Sequence, residues 1–184
     1  MTKQALRQRL LRRLRQQAGK LRLAKSLAIA KRLQRLPLYR TARVLMCYVA
    51  FDGEVETRPI IQQALADGKR VAVPITLAGR KKLIAVEIVD PDRDLTRVGP
   101  YGIIEPKNEP RRRLRPEKLD LILVPGLAFD ARGQRLGRGM GYFDRFLETV
   151  PASVPRVGLA FRFQVVKALP WESHDQPVSR VVTD

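Results

Sequence analysis

Between Leu121 and Leu147 the chain reads LILVPGLAFDARGQRLGRGMGYFDRFL, and this stretch holds its densest group of residues able to do chemistry. Gly137, Gly139 and Gly141 alternate with Arg138 and Met140; Arg135 precedes them and Asp144 follows. Closely spaced glycines let backbone N–H groups approach phosphate oxygens. Arginines add full charge and forked donors that match those oxygens. A helix starting just after the loop adds partial positive charge, and an acid there can hold Mg²⁺ against phosphates. Two familiar nucleotide signatures are excluded. No Gly-Lys-Ser/Thr completes a Walker A loop, and G-x-G-x-G is not the G-x-G-x-x-G dinucleotide fingerprint. Residue types alone therefore leave two readings, an anion-binding loop of undefined ligand or a tight structural turn.

The surrounding periodicity predicts what positions the loop. Leu119–Val124 reads as a buried strand and residues 142–149 as a helix, giving the order strand, loop, helix. In an open parallel sheet, ligands sit beyond the carboxyl ends of the strands. Val44–Phe51, VLMCYVAF, is a continuous apolar run suited to a strand covered on both faces. Further strands are predicted at 70–75, 82–89, 157–161 and 178–183. Leucines at helical spacing predict helices over 3–17 and 20–36, the second ended by Pro37. Another spans 58–67, with Thr57 as N-cap, Pro59 in the first turn and Gly68 as its stop. A short helix is expected at 164–169, and the Pro-, Arg- and Asp-rich stretch 90–118 is expected to be loop. Strands alternating with helices argue an α/β fold with a mostly parallel sheet covered on both faces.

Composition narrows the function classes. The 184 residues fit one domain, 1–184, and 45% hydrophobic residues suffice for a core. No apolar stretch is long enough to span a membrane, and the basic N-terminus lacks the apolar core of a secretory signal, so a cytoplasmic location is expected. Cys47 cannot form an internal disulfide, and its apolar run marks it as a core residue rather than a nucleophile. A lone histidine, His174, argues against Ser–His or Cys–His catalysis. Residues 1–51 hold 14 of the 36 basic residues and none of the 18 acids, so most of the +18 charge is N-terminal. Such a field attracts nucleic acid, nucleotide phosphates or polyglutamate. The run Arg111, Arg112, Arg113 and Arg115 is either a second phosphate patch or a solvated loop.

A family resemblance adds the ligand. VPGLAFD followed by RLGRG-x-GYFDR resembles the signature of the 5-formyltetrahydrofolate cyclo-ligase family. The order of other segments agrees: Lys3–Arg7, FDGEVET at 51–57, Val71–Pro74, YGIIEP at 101–106, VGLAF at 157–161, and His174-Asp175 with Val181–Thr183. The resemblance implies a single-domain three-layer α/β/α sandwich with a basic N-terminal helical segment. It implies ATP-dependent cyclisation of 5-formyltetrahydrofolate, with Mg²⁺ as cofactor and ATP as co-substrate. Lys3 and Arg7 would bind ATP phosphates. Arg135, Leu136, Gly137, Arg138, Gly139, Met140, Gly141, Tyr142 and Phe143 would wrap the nucleotide. Val49 and Glu54 would contact the folate, joined by Arg138, Gly139, Met140, Gly141 and Tyr142. Arg138 is the residue expected to act on the transferring phosphoryl group, and Asp144 is expected to bind the metal. The resemblance leaves the polyglutamate preference open; a monomer with no membrane partner is expected.

Three positions depart from the family pattern: Met140 stands where Gly or Lys is common, Phe143 where Tyr is frequent, and Ser179 where an Asp helps hold the metal. The basic N-terminal segment and Ser179 each raise a rival function. One is a basic RNA-binding module, although the N-terminal segment lacks interleaved aromatics for base stacking. The other is a family member that binds folate with impaired catalysis, motivated by Ser179.

Overall fold

The computed structural model describes residues 2–184. Its helices are α1 (Lys3–Arg15), α2 (Gly19–Gln34), α3 (Pro37–Thr41), α4 (Arg58–Ala66), α5 (Pro91–Asp94) and α6 (Tyr142–Glu148). The first six strands are β1 (Val44–Cys47), β2 (Arg70–Leu77), β3 (Lys82–Ile88), β4 (Arg97–Val98), β5 (Ile104–Glu105) and β6 (Arg113–Leu114). The other six are β7 (Leu121–Val124), β8 (Ala128–Asp130), β9 (Arg135–Leu136), β10 (Arg156–Leu159), β11 (Val165–Val166) and β12 (Arg180–Val182). Seven of them form one sheet in the order β12-β10-β7-β1-β2-β3-β6. The five from β12 to β2 are parallel, and β3 and β6 extend the edge antiparallel. Two small sheets, β11-β8-β9 and β4-β5, lie apart from it.

Side chains alternate across a strand, and here both faces are covered. Leu45, Val71, Leu121, Leu123 and Val157 share a core with Leu6, Leu10 and Leu14 of α1, Ile29 and Leu33 of α2, and Ile60 and Ile61 of α4. Met46, Ala72, Ile122 and Val124 point the other way, onto Phe146 and Leu147 of α6. Neither face leaves a polar position, which is why the strands read as unbroken apolar runs. The fold is thus the three-layer α/β arrangement with a mostly parallel sheet that the sequence implied. Leu14 is fully buried, so truncating it to Ala removes about 2–5 kcal/mol. Thr2 starts α1: its hydroxyl accepts from Ala5 N at 3.2 Å.

Several local expectations change. Pro37 begins α3 at its first position instead of merely ending α2, which stops at Gln34. Thr57 makes no cap bond; its buried hydroxyl accepts from Ala50 N at 3.0 Å and ties the turn after β1. β1 ends at Cys47, short of Phe51, because the chain turns there to build the cavity wall described below. Residues 90–118 are not all loop: Asp90 caps α5 through Asp92 N and Arg93 N, and β4, β5 and β6 follow. The helix expected at 164–169 is replaced by a single 3₁₀ turn, Arg162–Gln164, and by β11.

The N-terminal charge is partly neutralised by acids from later in the chain. Arg15 pairs with Asp52 at 2.7 Å, Arg22 with Glu56 at 3.0 Å and Lys25 with Asp184 at 3.6 Å. The run at 111–115 is also anchored in part, since Arg112 bonds Asp94 at 2.8 Å and Arg113 bonds Asn108 at 3.0 Å.

Candidate functional site

The chain passes from β1 outward to β2 on one side, then back to β7, β10 and β12 on the other. The order therefore reverses between β1 and β7, and such a switch point opens a crevice at the carboxyl ends of the strands. A cavity of about 350 Å³ lies there, bounded by Tyr48 and Val49 after β1, Pro125 and Gly126 after β7, and Pro74 and Thr76 of β2. The loop Gly137–Gly141 closes one side and residues 101–105 another. Gly139 and Gly141 adopt positive φ, +104° and +64°, which lets the loop turn sharply into α6. Arg145 pins this loop, donating to Met140 O at 2.8 Å and to Lys81 O at 2.7 Å.

Arg138 projects from the loop over the turn after β1. Its Nε and Nη2 each lie 3.2 Å from Glu54 Oε1, Nη1 donates to Asp52 at 3.0 Å and Nη2 to Phe51 O at 3.2 Å. Burial pushes the Glu54 carboxyl above its ordinary value; the Arg138 charge and the Phe51 N–H offset part of that. Hydrogen bonding from Arg15 holds Asp52 below the usual carboxylate value against some burial, with Arg138 adding to the effect.

Arg135 behaves differently. Its guanidinium is buried, donating from Nη2 to Asp144 Oδ1 at 2.5 Å and from Nη1 to Pro125 O at 3.3 Å. Asp144 Oδ1 also accepts from Gln176 N at 3.2 Å, while Oδ2 takes no hydrogen bond among the described residues. Arg7 reaches from α1 to the loop, donating from Nε to Gly137 O at 3.0 Å. Its guanidinium carbon runs alongside Gly139, where an added Cβ would sit 3.6 Å away. Lys3 turns instead to the C-terminal segment, 2.7 Å from Asp175 and 2.9 Å from Glu172. Partial burial pulls Lys3 down, but those two carboxylates outweigh it and raise its pKa.

A model of the 5-formyltetrahydrofolate cyclo-ligase family matches residues 1–184. The chain belongs to that family. It is 35% identical over 155 residues to the 5-formyltetrahydrofolate cyclo-ligase of Escherichia coli (strain K12), a match covering 84% of this chain and 85% of that one. It is 30% identical to the Mus musculus 5-formyltetrahydrofolate cyclo-ligase over 190 residues, covering 98% and 92%. Among solved structures it resembles the 5,10-methenyltetrahydrofolate synthetase of Aquifex aeolicus, with TM-score 0.86 and 34% identity over 100% of this chain and 90% of that one.

Within this cyclo-ligase fold, Val49, Glu54, Arg135, Gly137, Arg138 and Met140 through Asp144 all border the one cavity. Leu136 is buried in β9 behind it, and Arg7 meets the loop from α1, whereas Lys3 is paired with Asp175 and Glu172 and does not reach it. Ser179 lies at the start of β12, where its hydroxyl accepts from Arg156 N at 3.0 Å and donates to Arg156 O at 2.8 Å. Its hydroxyl is therefore engaged by the backbone of Arg156, and it brings no carboxylate to the site. Cys47 is buried, with its thiol pushed up by burial, and plays no part in the cavity wall. His174 is exposed.

Sequence reasoning assigned no role to Tyr101, Ile103, Glu105 or Asp52. Tyr101 has φ +67° and shares a 3.1 Å hydrogen bond with the Tyr142 hydroxyl across the cavity mouth. Positive φ at an aromatic residue is strained and collects at ligand sites. The available signal was the Glu in YGIIEP, a charge inside an apolar pair and next to Pro, which argued against an ordinary solvated loop.

Proposed function

We propose that this cavity binds 5-formyltetrahydrofolate beside ATP and closes it to 5,10-methenyltetrahydrofolate, releasing ADP and phosphate. The observation that carries the reading is one shared space: a glycine-rich, arginine-bearing loop on one side and apolar and aromatic walls on the other. Family membership supports the same reaction.

The chemistry follows from the substrate. The N5-formyl oxygen is a poor leaving group. Its attack on the γ-phosphorus forms an O–P bond while the bond to ADP breaks and ADP leaves with the electron pair. N10 then attacks the activated carbon, the C–O bond breaks, phosphate departs and the N10 proton is lost. The protein's part is positioning and charge neutralisation. Arg138 stabilises charge on the transferring group, the loop N–H groups and Arg7 hold the triphosphate, and Lys3 adds a cation at the start of α1. Glu54 and Val49 face the folate. Arg135 acts by holding Asp144 in place.

Mg²⁺ fits this arrangement in one form. No three His, Cys, Asp or Glu side chains cluster closely enough among the described residues to hold a metal unaided. Mg²⁺ needs only one or two carboxylates when phosphates supply the rest. Asp144 would hold it through Oδ2, its Oδ1 being taken by Arg135 and Gln176 N. The ion would screen the phosphate charges. A cytoplasmic location accompanies this function. Among the described residues no helix is long and apolar enough to cross a membrane, and the single cysteine is a free thiol.

The test is direct. Purified protein with 5-formyltetrahydrofolate, ATP and Mg²⁺ should give the long-wavelength absorbance of the conjugated methenyl product, with one ADP released per turnover. Folate binding without absorbance change would favour the non-catalytic reading, and RNA binding without folate binding would favour the RNA module.

A further inference from the structure

Glu105 presents a buried carboxylate to the cavity that the reaction described above does not use. It lies on β5, in the cavity wall, and is 1% exposed. Its Oε1 accepts from Thr76 N of β2 at 2.9 Å. Its Oε2 has no hydrogen-bond partner among the described residues. The side chain is wedged in place: a Cβ added at Gly99 would lie 2.4 Å from Oε2 and from the carboxyl carbon. A buried carboxylate oxygen without a donor is unfavourable, and a fixed one is retained where a ligand supplies the donor.

Among the described residues, no donor of the wall bonds Oε2. Arg138 is engaged by Glu54, Asp52 and Phe51 O, and Arg135 is turned to Asp144 and Pro125 O. Tyr101 and Tyr142 bond each other, and the Tyr48 hydroxyl lies 3.4 Å from Val55 O. A ligand entering the cavity can supply that donor. Around Glu105 the lining is apolar, with Pro74, Leu83 and Ile103 suited to the faces of a flat ring.

We propose that Glu105 is the residue that recognises the pyrimidine edge of the reduced pterin, accepting a hydrogen bond from its 2-amino and N3–H group. This rests on the folate reading above. That edge is where the pterin carries two donors side by side, and a carboxylate takes adjacent donors on its two oxygens. Oε2 is unpartnered among the described residues, and Oε1 retains a lone pair beyond the Thr76 bond. N5 lies at the opposite end of the bicycle from the 2-amino group. Anchoring at Glu105 thus leaves the formyl group free to face the phosphate loop. Glu54, already held by Arg138, is left to the reacting end.

The experiment compares binding of 5-formyltetrahydrofolate and its 2-desamino-2-methyl analogue by calorimetry, in the wild type, Glu105→Ala and Glu105→Gln. A site built to bond an N–H rejects an analogue lacking it. The wild type should prefer the parent compound by at least about tenfold, and Glu105→Ala should bind the two within about twofold, with ATP affinity unchanged. If Glu105→Ala does not fold, Glu105→Gln keeps the volume and an acceptor for Thr76 N. Its amide NH₂ then stands where Oε2 stood, donor facing donor, and the preference for the parent again collapses. Wild-type-sized discrimination in either folded variant overturns the assignment. A wild type that binds the parent but does not discriminate overturns it while leaving the folate reading intact. A wild type that binds neither compound overturns both.

Discussion

The Arg138 guanidinium lies across the Glu54 carboxylate, with Nε and Nη2 both 3.2 Å from the same oxygen, Oε1. The pair links the glycine-rich loop to the turn after β1, the two segments proposed to take ATP and folate. A charge at that junction matters most when the phosphoryl group is between them. Arg138→Ala should lower kcat by on the order of 10²–10³-fold while changing ATP affinity less. Steady-state kcat and the ATP Kd check this; equal losses in both would make Arg138 a ground-state binding residue.

Glu54 should leave a signature in stability against pH. Burial raises its folded-state pKa above 4.5, with Arg138 offsetting part of the rise. Between those two values the folded protein binds more protons than the unfolded chain, so stability falls as pH rises through the window. Asp52 and Asp175, whose values are lowered, act in the opposite sense at lower pH. The difference between variants isolates Glu54. Glu54→Gln should remove the fall, and Arg138→Ala should extend the window upward because the compensating charge is gone. Urea midpoints followed from below pH 4.5 through neutral measure it, and a slope unchanged in Glu54→Gln would count against the assignment.

Asp144 has two partners to lose. Replacing it with Asn breaks the pairing with buried Arg135, which should cost about 3–5 kcal/mol for a fully buried pair and less here, since Asp144 is partly exposed. It should also raise the Mg²⁺ concentration needed for activity. Ser179→Asp should lower that requirement by supplying a second carboxylate. Titrating Mg²⁺ below each variant's melting range separates the effects. A lower Tm with an unmoved Mg²⁺ curve would make Asp144 only the anchor of Arg135.

Gly133 tests the frame of the loop instead of its chemistry. It has φ +79°, and an added Cβ would lie 2.2 Å from Val178 O, which is fixed backbone. Its carbonyl also accepts from Val178 N at 2.8 Å. Gly133→Ala should therefore destabilise the fold by about 1–3 kcal/mol or more, through strain and displaced backbone. Chemical denaturation reads it; a loss below the error of the midpoint would mean that the 178 segment can move aside.

Apolar periodicity was enough to determine the α/β class, the sheet-covering helices, and β7 and α6 on either side of the glycine-rich stretch; it missed β8 and β9, the second of which lies within the stretch expected to be loop. Runs such as VLMC and LILV have no polar position because both sheet faces are covered, and that constraint is written in residue type. The motif order likewise carried the family and the loop. What the tertiary structure alone decided was direction and partnership. Arg135 of β9 and Arg138 of the loop after it stand three residues apart, yet one is turned inward to Asp144 and the other across to Glu54. Lys3 and Arg7 share a helix side, yet Lys3 meets Asp175, 172 residues away, and Arg7 meets Gly137, 130 residues away. The 101–105 wall, with Glu105 held by Thr76, exists only because β5 folds against β2. Residue type states what a side chain can bond. Which of its possible partners it meets depends on contacts across the whole chain, and local spacing carries no record of them.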